Sequence, residues 1–207
     1  MNDTHKKYNV LFVCSSNVCR SPYCEFMLRR MIENDEDLKG RVEVRSSAVF
    51  NKSKSIFPKA VDILKREGFP ESEILAHKPS FKTDKERFEN ADVIIGMSRM
   101  HKLLTPRKYR SKYITLSEAA TDKYSPVPDP FLATSQAEYD KTMSTLKDYV
   151  EQYFLRLKNA LNRWITRKRL SGGNPNLLCV NELSHECLCQ SYSLNSAFFN
   201  LRKYCST

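Results

Sequence analysis

Near its amino terminus the chain reads Val10-Leu11-Phe12-Val13-Cys14-Ser15-Ser16-Asn17-Val18-Cys19-Arg20-Ser21-Pro22. The apolar run at residues 10–13 predicts a buried strand, and Pro22 suits the first turn of a helix. A loop that enters a helix presents backbone N–H groups, which bind an anion. The same positive potential favours a thiolate at Cys14, and the planar guanidinium of Arg20 can hold two phosphate oxygens. The stretch therefore predicts a phosphate-binding loop with a nucleophilic cysteine at its base.

A purely structural cysteine is the simpler alternative, with Cys14 buried at a strand end and Arg20 a surface charge. Cysteine, five residues and arginine can arise by chance in any chain that contains cysteine. The neighbouring residues favour the functional interpretation, because the Ser21 hydroxyl lies where it could hydrogen-bond a thiolate and Pro22 opens a helical pattern. Since the strand pattern also runs directly into the cysteine, we expect a reactive thiolate here.

The composition of the 207 residues is that of one globular domain with an appendage. The formal net charge is +10, but the basic residues are scattered along the chain. No arginine-rich or aromatic-interleaved segment appears, so we predict no nucleic-acid partner. A basic surface instead favours phosphorylated, acidic substrates.

The apolar runs predict neither a membrane span nor a secretory signal. The first run, at residues 10–13, is too short for a signal-peptide core, and no small-residue cleavage site follows it. The seven cysteines are an odd number, which argues against a secreted disulfide scaffold. We therefore predict a cytoplasmic protein with no membrane partner.

Strand and helix patterns alternate along the chain. The strand patterns cover residues 9–13, 41–49, 91–97 and 112–116, and the helix patterns cover residues 23–34, 58–68, 84–89, 99–104 and 136–169. Such alternation predicts a parallel sheet covered on both faces, here a three-layer α/β/α fold with a central four-stranded parallel sheet. In these folds ligands bind at the carboxyl ends of the strands, where the loop after the first strand lies.

Residues 1–169 form the predicted domain, and residues 170–207 form a C-terminal extension. The break is the helix-terminating segment Ser171-Gly172-Gly173-Asn174-Pro175. The extension contains possible metal ligands at Cys179, His185, Cys187 and Cys189, but their spacing matches no common zinc site. Its composition and lack of periodicity favour a disordered or loosely packed segment without a metal.

A second chemical motif follows the last predicted strand, in the stretch Ser125-Pro126-Val127-Pro128-Asp129-Pro130-Phe131. Cleavage of a phosphate ester needs a proton for the leaving oxygen, and a carboxylic acid on a stiff loop can supply it. The prolines that flank Asp129 fix the backbone φ and so stiffen the loop. Alone, Pro-Asp-Pro is more typical of a plain turn. The interpretation of Asp129 as a proton donor depends on the cysteine loop being in the same chain.

Together these motifs resemble the low-molecular-weight protein tyrosine phosphatase family. The resemblance covers about residues 7–165. It rests on Val13-Cys14-Ser15-Ser16-Asn17-Val18-Cys19-Arg20-Ser21-Pro22 and Val127-Pro128-Asp129-Pro130-Phe131, with weaker support from Val44-Arg45-Ser46-Ser47-Ala48, His77 and Ala91-Asp92-Val93-Ile94-Ile95.

The resemblance implies a role for each matching residue. Cys14 would attack phosphorus and form a cysteinyl-phosphate, while Arg20 and the backbone N–H groups from Ser15 to Arg20 would bind the phosphate oxygens. Asp129 would protonate the leaving oxygen and then activate water. No metal or other cofactor is implied, because Arg20 and the loop amides supply the positive charge. The implied partners are phosphoprotein substrates, and oligomeric state is not predicted.

The remaining implied residues support the loop or the substrate. Ser21 would stabilise the thiolate, and the loop members Ser15, Ser16, Asn17, Val18 and Cys19 would line or shape the phosphate site. Asn17, Ser47 and His77 resemble the family's hydrogen-bond network that holds this loop. Cys19 resembles the second loop cysteine, which could trap an oxidised Cys14 as a disulfide, although a small buried residue is the alternative. Phe50 and Phe131 are candidate aromatic walls, with ordinary loop packing as the alternative.

Two loop positions depart from the family pattern or separate its branches. Ser16 replaces a glycine, so strain is expected if that position needs a positive φ. Val18 is a bulky aliphatic, as in tyrosine-selective members, whereas the phosphoarginine-hydrolysing branch carries threonine there. We therefore predict hydrolysis of phosphotyrosine, with protein-arginine phosphatase activity as the first alternative. A non-catalytic phosphate-binding or redox-sensing module is the second, and the retained Asp129 disfavours it because binding alone needs no proton donor.

Overall fold

Four parallel strands form the central sheet of residues 7–170, the part of the chain that the computed structural model describes. In chain order they are β1 (Tyr8–Cys14), β2 (Val42–Ala48), β3 (Val93–Gly96) and β4 (Tyr113–Thr115). Their order across the sheet is β2-β1-β3-β4. Cys14 pairs with Ala48 on one side of β1, and Val13 pairs with Gly96 on the other. The predicted parallel sheet is thereby confirmed.

Helices connect and cover these strands. They are α1 (Arg20–Glu33), α2 (Pro58–Arg66), α3 (Glu71–Ala76), α4 (Lys85–Asn90), α5 (Arg99–Leu104), α6 (Leu116–Thr121) and α7 (Gln136–Leu170), with short 3₁₀ helices at Arg107–Lys112 and Pro130–Leu132. The first helix begins at Arg20, three residues before the predicted start at residue 23. The predictions omit the six-residue helices α3 and α6.

The side chains of β1 alternate between two hydrophobic cores, as period-two geometry requires. Val10 and Phe12 face a large core that α1 and α7 share. Leu11 and Val13 face a smaller core with Phe88 of α4 on the opposite side of the sheet. Both faces of the sheet are therefore covered, which confirms the predicted three layers.

The described residues account for most of the predicted domain. Helix α7 extends to Leu170, one residue beyond the predicted end. The predicted C-terminal extension and its Cys179, His185, Cys187 and Cys189 lie outside the described residues, apart from Leu170. Among the helices of residues 7–170, none combines the length and apolar character that a membrane crossing requires.

Candidate active site

Cys14 ends β1 at the carboxyl edge of the sheet, and its side chain is almost fully buried. Its Sγ accepts a hydrogen bond from the Ser21 hydroxyl at 3.1 Å and from the backbone N–H of Asn17 at 3.3 Å. Helix α1 begins six residues later, so its amino terminus lies at the same loop. Two hydrogen-bond donors and the amino terminus of a helix therefore surround the Cys14 sulfur, where an anion can bind.

Asn17 holds the loop in shape through both ends of its amide. The Nδ2 group donates to the hydroxyls of Ser21 at 3.0 Å and Ser46 at 2.7 Å, and Oδ1 accepts the backbone N–H of Ser80 at 2.8 Å. Its backbone has a φ of 54°, in the left-handed region. Asparagine is among the few residues that adopt this region at modest cost. The side chain is fully buried, so it serves as a scaffold for the loop.

The loop residue with a positive φ is Asn17 and not Ser16. Among the described non-glycine residues only Asn17 and Asp122 have a positive φ. Ser16 does not need a positive φ, so the condition for strain at that position is not met. The Ser16 hydroxyl lies at the exposed rim, where it accepts a hydrogen bond from the Asn51 amide at 3.3 Å.

Of the two adjacent serines of β2, Ser46 bonds directly to Asn17 and Ser47 does not, which corrects the expected network. Adjacent residues of a strand point to opposite faces of the sheet. Ser46 therefore faces α1, where its hydroxyl donates to the buried carboxylate of Glu25 at 2.5 Å. Ser47 faces the other way and lies 3.4 Å from the Ser80 hydroxyl. It supports Asn17 only indirectly, since the N–H of Ser80 is an Asn17 partner.

His77 lies at the far side of the same network. Its Nδ1 is 3.9 Å from Oε2 of Glu25, and its side chain is buried. Burial lowers the pKa of His77, while the nearby Glu25 carboxylate and the backbone of Asn17 act in the opposite direction. The structure thus places His77 beside Glu25, as a support of the loop rather than a group that reaches the cleft.

Arg20 is buried, and its guanidinium faces the loop and the Asp129 segment. Nη1 donates to the carbonyl oxygen of Val127 at 3.3 Å. Nη2 donates to the Ser15 hydroxyl at 3.2 Å and to Oδ2 of Asp129 at 2.5 Å. The Asp129 side chain is one third exposed, and its Oδ1 accepts the N–H of Phe131 at 3.2 Å. Two residues 109 positions apart in sequence therefore form an ion pair at the mouth of the loop.

An open cleft of about 380 Å³ lies above Cys14. Arg20, Asp129 and Val18 line it, and the exposed rings of Phe50 and Phe131 stand at its sides. Phe57 is a third aromatic wall that the sequence analysis did not select, with its ring centroid 5.7 Å from that of Phe131. An aromatic residue directly before the helix-starting Pro58 was the available signal for it.

Cys19 lines the same cleft but is protected as a thiol. Its Sγ lies 3.2 Å from the Tyr139 hydroxyl, and the residue is buried. Burial raises the pKa of Cys19 to about 12, although the Tyr139 hydrogen bond opposes the shift. Cys24 is fully buried, and burial raises its pKa well above the usual range. The redox role of Cys19 stays a prediction.

One buried histidine near the loop was missed by the sequence analysis. His101 of α5 places Nε2 at 3.1 Å from the Ser15 hydroxyl and Nδ1 at 3.3 Å from the Ser98 hydroxyl. Its position in the sequence could have indicated it, because the segment after β3 lies beside the loop after β1 when these two strands pair in a parallel sheet. Within residues 7–170, no cluster of three or more histidine, cysteine, aspartate or glutamate side chains is arranged to hold a metal ion.

The family model for "Low molecular weight phosphotyrosine protein phosphatase" matches residues 9–163, which contain the whole site. The chain belongs to this family. Membership confirms the resemblance found in the sequence, and it makes the chain a phosphatase. The matched residues begin at β1 and end within α7, so the family's domain coincides with the fold described above.

Curated relatives of the family include both substrate types. A protein-arginine-phosphatase of Bacillus subtilis is 33% identical over 154 residues, which cover 72% of this chain and 97% of the relative. A low molecular weight phosphotyrosine protein phosphatase of Sus scrofa is 29% identical over 155 residues, covering 70% and 94%. Among solved structures, the YwlE arginine phosphatase from Geobacillus stearothermophilus superposes with a TM-score of 0.64 at 25% identity, covering 75% of this chain and 96% of that one.

Proposed function

We propose that this phosphatase hydrolyses phosphotyrosine on proteins through a cysteinyl-phosphate intermediate. The observation that carries the proposal is the meeting of three groups in one cleft: the Cys14 sulfur, the Arg20 guanidinium and the Asp129 carboxyl. A nucleophile, an anion clamp and a proton donor are the groups that displacement at phosphorus requires.

The first step transfers the phosphoryl group to the enzyme. The Cys14 thiolate attacks phosphorus, the bond from phosphorus to the tyrosine oxygen breaks, and Asp129 gives its proton to that oxygen. Arg20 and the loop N–H groups hold the equatorial oxygens as charge redistributes. The hydrogen bonds from Ser21 and Asn17 to the Cys14 sulfur keep the nucleophile in place.

The second step releases phosphate. Asp129, now a carboxylate, takes a proton from a water molecule as that water attacks the phosphorus of the cysteinyl-phosphate. The bond from sulfur to phosphorus breaks, inorganic phosphate forms, and the Cys14 thiolate is restored. Asp129 regains its proton in this step, so the cycle is balanced without a cofactor.

The walls of the cleft support an aromatic substrate. Phe50, Phe57 and Phe131 can pack against the ring of phosphotyrosine. Val18 contributes an aliphatic surface beside the sulfur, and its carbonyl accepts the N–H of Phe57 at 2.9 Å, which joins the loop to that wall. An apolar side chain suits a phenyl ring better than it suits the polar guanidinium of phosphoarginine.

Protein-arginine phosphatase activity is the second candidate function. The 33% identity to the Bacillus subtilis protein-arginine-phosphatase favours it. The Asp129 carboxylate, which already binds one guanidinium in Arg20, could also face the guanidinium of phosphoarginine. The two candidates share the nucleophile and the phosphate clamp, and they differ in what the cleft walls accept.

The deciding experiment compares two peptides of identical surrounding sequence, one with phosphotyrosine and one with phosphoarginine. We expect faster phosphate release from phosphotyrosine, and Val18→Thr should shift the ratio of the two rates toward phosphoarginine. Val61→Thr is the matched control, because it makes the same replacement on α2 outside the cleft. Faster release from phosphoarginine by the wild type would assign the second function.

The nucleophile is tested with Cys14→Ser and an aryl phosphate. The serine hydroxyl has a much higher pKa than a thiol, so it is a poor nucleophile here without an adjacent base. We expect hydrolysis to be abolished. Equal rates for the wild type and the variant would overturn the catalytic assignment.

A further inference from the structure

His101 is the buried residue of the short helix α5, in which Leu104 is half-buried and the other residues are exposed. On α5 its neighbours Met100 and Leu103 are 66% and 67% exposed, whereas His101 is 4% exposed. A buried imidazole needs a partner for each ring nitrogen. The two partners are the hydroxyls of Ser15 and Ser98, and the first of these belongs to the phosphate-binding loop.

The contacts of His101 continue to the phosphate clamp. The Ser98 hydroxyl lies 3.3 Å from Nδ1 of His101, and Nε2 of the same ring lies 3.1 Å from the Ser15 hydroxyl. That Ser15 hydroxyl in turn accepts a hydrogen bond from Nη2 of Arg20 at 3.2 Å. A guanidinium only donates hydrogen bonds. Ser15 must therefore accept from Arg20, and its remaining hydrogen-bonding capacity faces His101.

The charge state of His101 suits this arrangement. Burial lowers its pKa to about 4, and the positive charge of Arg20 acts in the same direction, while Asp129 opposes them. At neutral pH the imidazole is therefore uncharged, with one donor and one acceptor nitrogen. That pair matches two hydroxyl partners, and it adds no repulsion to a site that must bind an anion.

When substrate binds, the orientation of the Arg20 guanidinium depends on these hydrogen bonds through Ser15. In the structure Nη2 has two side-chain partners, Ser15 and Asp129. When phosphate oxygens take the place of the Asp129 carboxylate, Ser15 is the side chain of the two that stays on Nη2. The carbonyl oxygen of Val127 holds Nη1, so Ser15 fixes the other end of the planar group.

We propose that His101 is a positioning residue for phosphate binding, which orients the Ser15 hydroxyl and through it the guanidinium of Arg20. The inference rests on the proposed role of Arg20 as the phosphate clamp. It extends that role to a residue that touches neither the phosphate nor the reacting sulfur in the described contacts. The misorientation of a bidentate clamp weakens both ground-state and transition-state binding.

The test compares His101→Asn with His101→Gln. The shorter amide of asparagine ends where Nδ1 lies and keeps only the contact to Ser98, whereas glutamine extends to the position of Nε2 and can still reach Ser15. For His101→Asn we expect about a tenfold fall in kcat/KM for an aryl phosphate, and a similar weakening of competitive inhibition by inorganic phosphate. His101→Gln should restore most of both. Leu103→Asn, an exposed position on the same helix, is the control for a new asparagine in α5.

A double-mutant cycle separates positioning from a merely structural effect. Ser15→Ala should cause a similar loss to that of His101→Asn, and the double variant should lose no more than either single variant, because both act through one hydroxyl. Ser15→Thr keeps the hydroxyl and should retain phosphate inhibition. Independent, additive losses would overturn the proposal, as would unchanged phosphate inhibition in His101→Asn.

The outcomes remain informative if one variant does not fold. Circular dichroism shows whether His101→Asn is folded. If it is not, the comparison of Ser15→Ala with Ser15→Thr in the wild-type background decides whether the hydroxyl sets phosphate affinity. Equal inhibition by phosphate in these two would again overturn the proposal. Activity of Cys14→Ser would instead contradict the proposed function, so the two failures are distinguishable.

Discussion

Asp129 would need opposite charge states for its ion pair with Arg20 and for its proposed role as an acid. It forms an ion pair with Arg20 at rest, yet it must hold a proton when it protonates a leaving oxygen. General acid catalysis matters most for substrates whose leaving group is a strong base. The residue is therefore best tested by varying the substrate as well as the side chain.

For Asp129→Ala we expect hydrolysis of phosphotyrosine to fall by about 10² to 10⁴. A nitrophenyl phosphate, whose leaving oxygen needs no proton, should lose far less. Steady-state rates for the two substrates measure the difference. Asp140→Ala, which removes an α7 carboxylate paired with Arg66 at 3.1 Å, is the control. Equal slowing of both substrates would contradict the acid role of Asp129.

The buried imidazole of His101 predicts a dependence of stability on pH. Its pKa is about 4 in the folded protein and near 6.5 when exposed. Between these values the unfolded chain binds a proton that the folded chain does not, so stability falls as pH drops from about 6.5 to about 4. Over this pH range the free energy of unfolding falls by about 3 kcal/mol because of His101. Urea unfolding of wild type and His101→Gln at about pH 7 and about pH 4 measures it. An identical loss in both proteins would contradict the assignment.

The residues of the site differ in how far the sequence could reveal them. Cys14 and Arg20 share one short motif, and Asp129 stands in a second, so each could be found from local spacing. Ser46 could have been distinguished from Ser47 by strand alternation, because Val42 and Val44 mark the face that turns toward α1. His101 stands in no local motif, and only the predicted pairing of β1 with β3 could have indicated that its segment lies beside the loop.

At the scale of elements, Gly96 allows β3 and β4 to pack closely beside the segment that leads to the site. A side chain on Gly96 of β3 would overlap the phenol ring of Tyr113 on β4. That phenol donates a hydrogen bond to the carbonyl oxygen of Ser98 at 2.6 Å, which anchors the segment leading to His101. A glycine here is needed for close approach rather than for a positive φ.

We expect Gly96→Ala to destabilise the protein by about 1–3 kcal/mol, because a buried ring must shift to admit the methyl group. Urea denaturation of the single variant gives the loss. In a Tyr113→Ala background the same replacement should cost much less, since the ring is absent. An equal cost in both backgrounds would show that the overlap is not the cause.

Strands β1 and β3 were predicted from short apolar runs, and β2 from a sequence rich in valine and serine. The β1 and β3 strands are buried on both faces, so continuous apolar stretches marked them. Helices α3 and α6 were not predicted. Helix α6 nevertheless has a local signature in Thr115 and Glu118, which form a capping box. That signature was available, whereas α3 has Pro70 at its N-cap and no capping side chain.

At the scale of the whole molecule, the proposed catalytic residues Cys14, Arg20 and Asp129 lie within the family match at residues 9–163. Among residues 7–170, the last members of the hydrophobic core are Trp164 and Ile165 of α7. A chain truncated after Leu170 should therefore keep its fold and its rate toward an aryl phosphate. Circular dichroism and steady-state kinetics of the truncated and full chains measure this. Loss of activity in a folded truncated chain would assign a catalytic contribution to residues 171–207.

In the ion pair of Arg20 and Asp129, the carboxylate of the protein itself binds the guanidinium that we propose for the phosphate. A carboxylate fixed to the same chain has an effective concentration that a free anion in solution rarely reaches. Each phosphate ester that enters must exchange with this tethered competitor, and each inorganic phosphate that leaves can be replaced by it. We therefore expect the Asp129 carboxylate, the proposed proton donor, also to displace the product phosphate from Arg20 and so to assist its release.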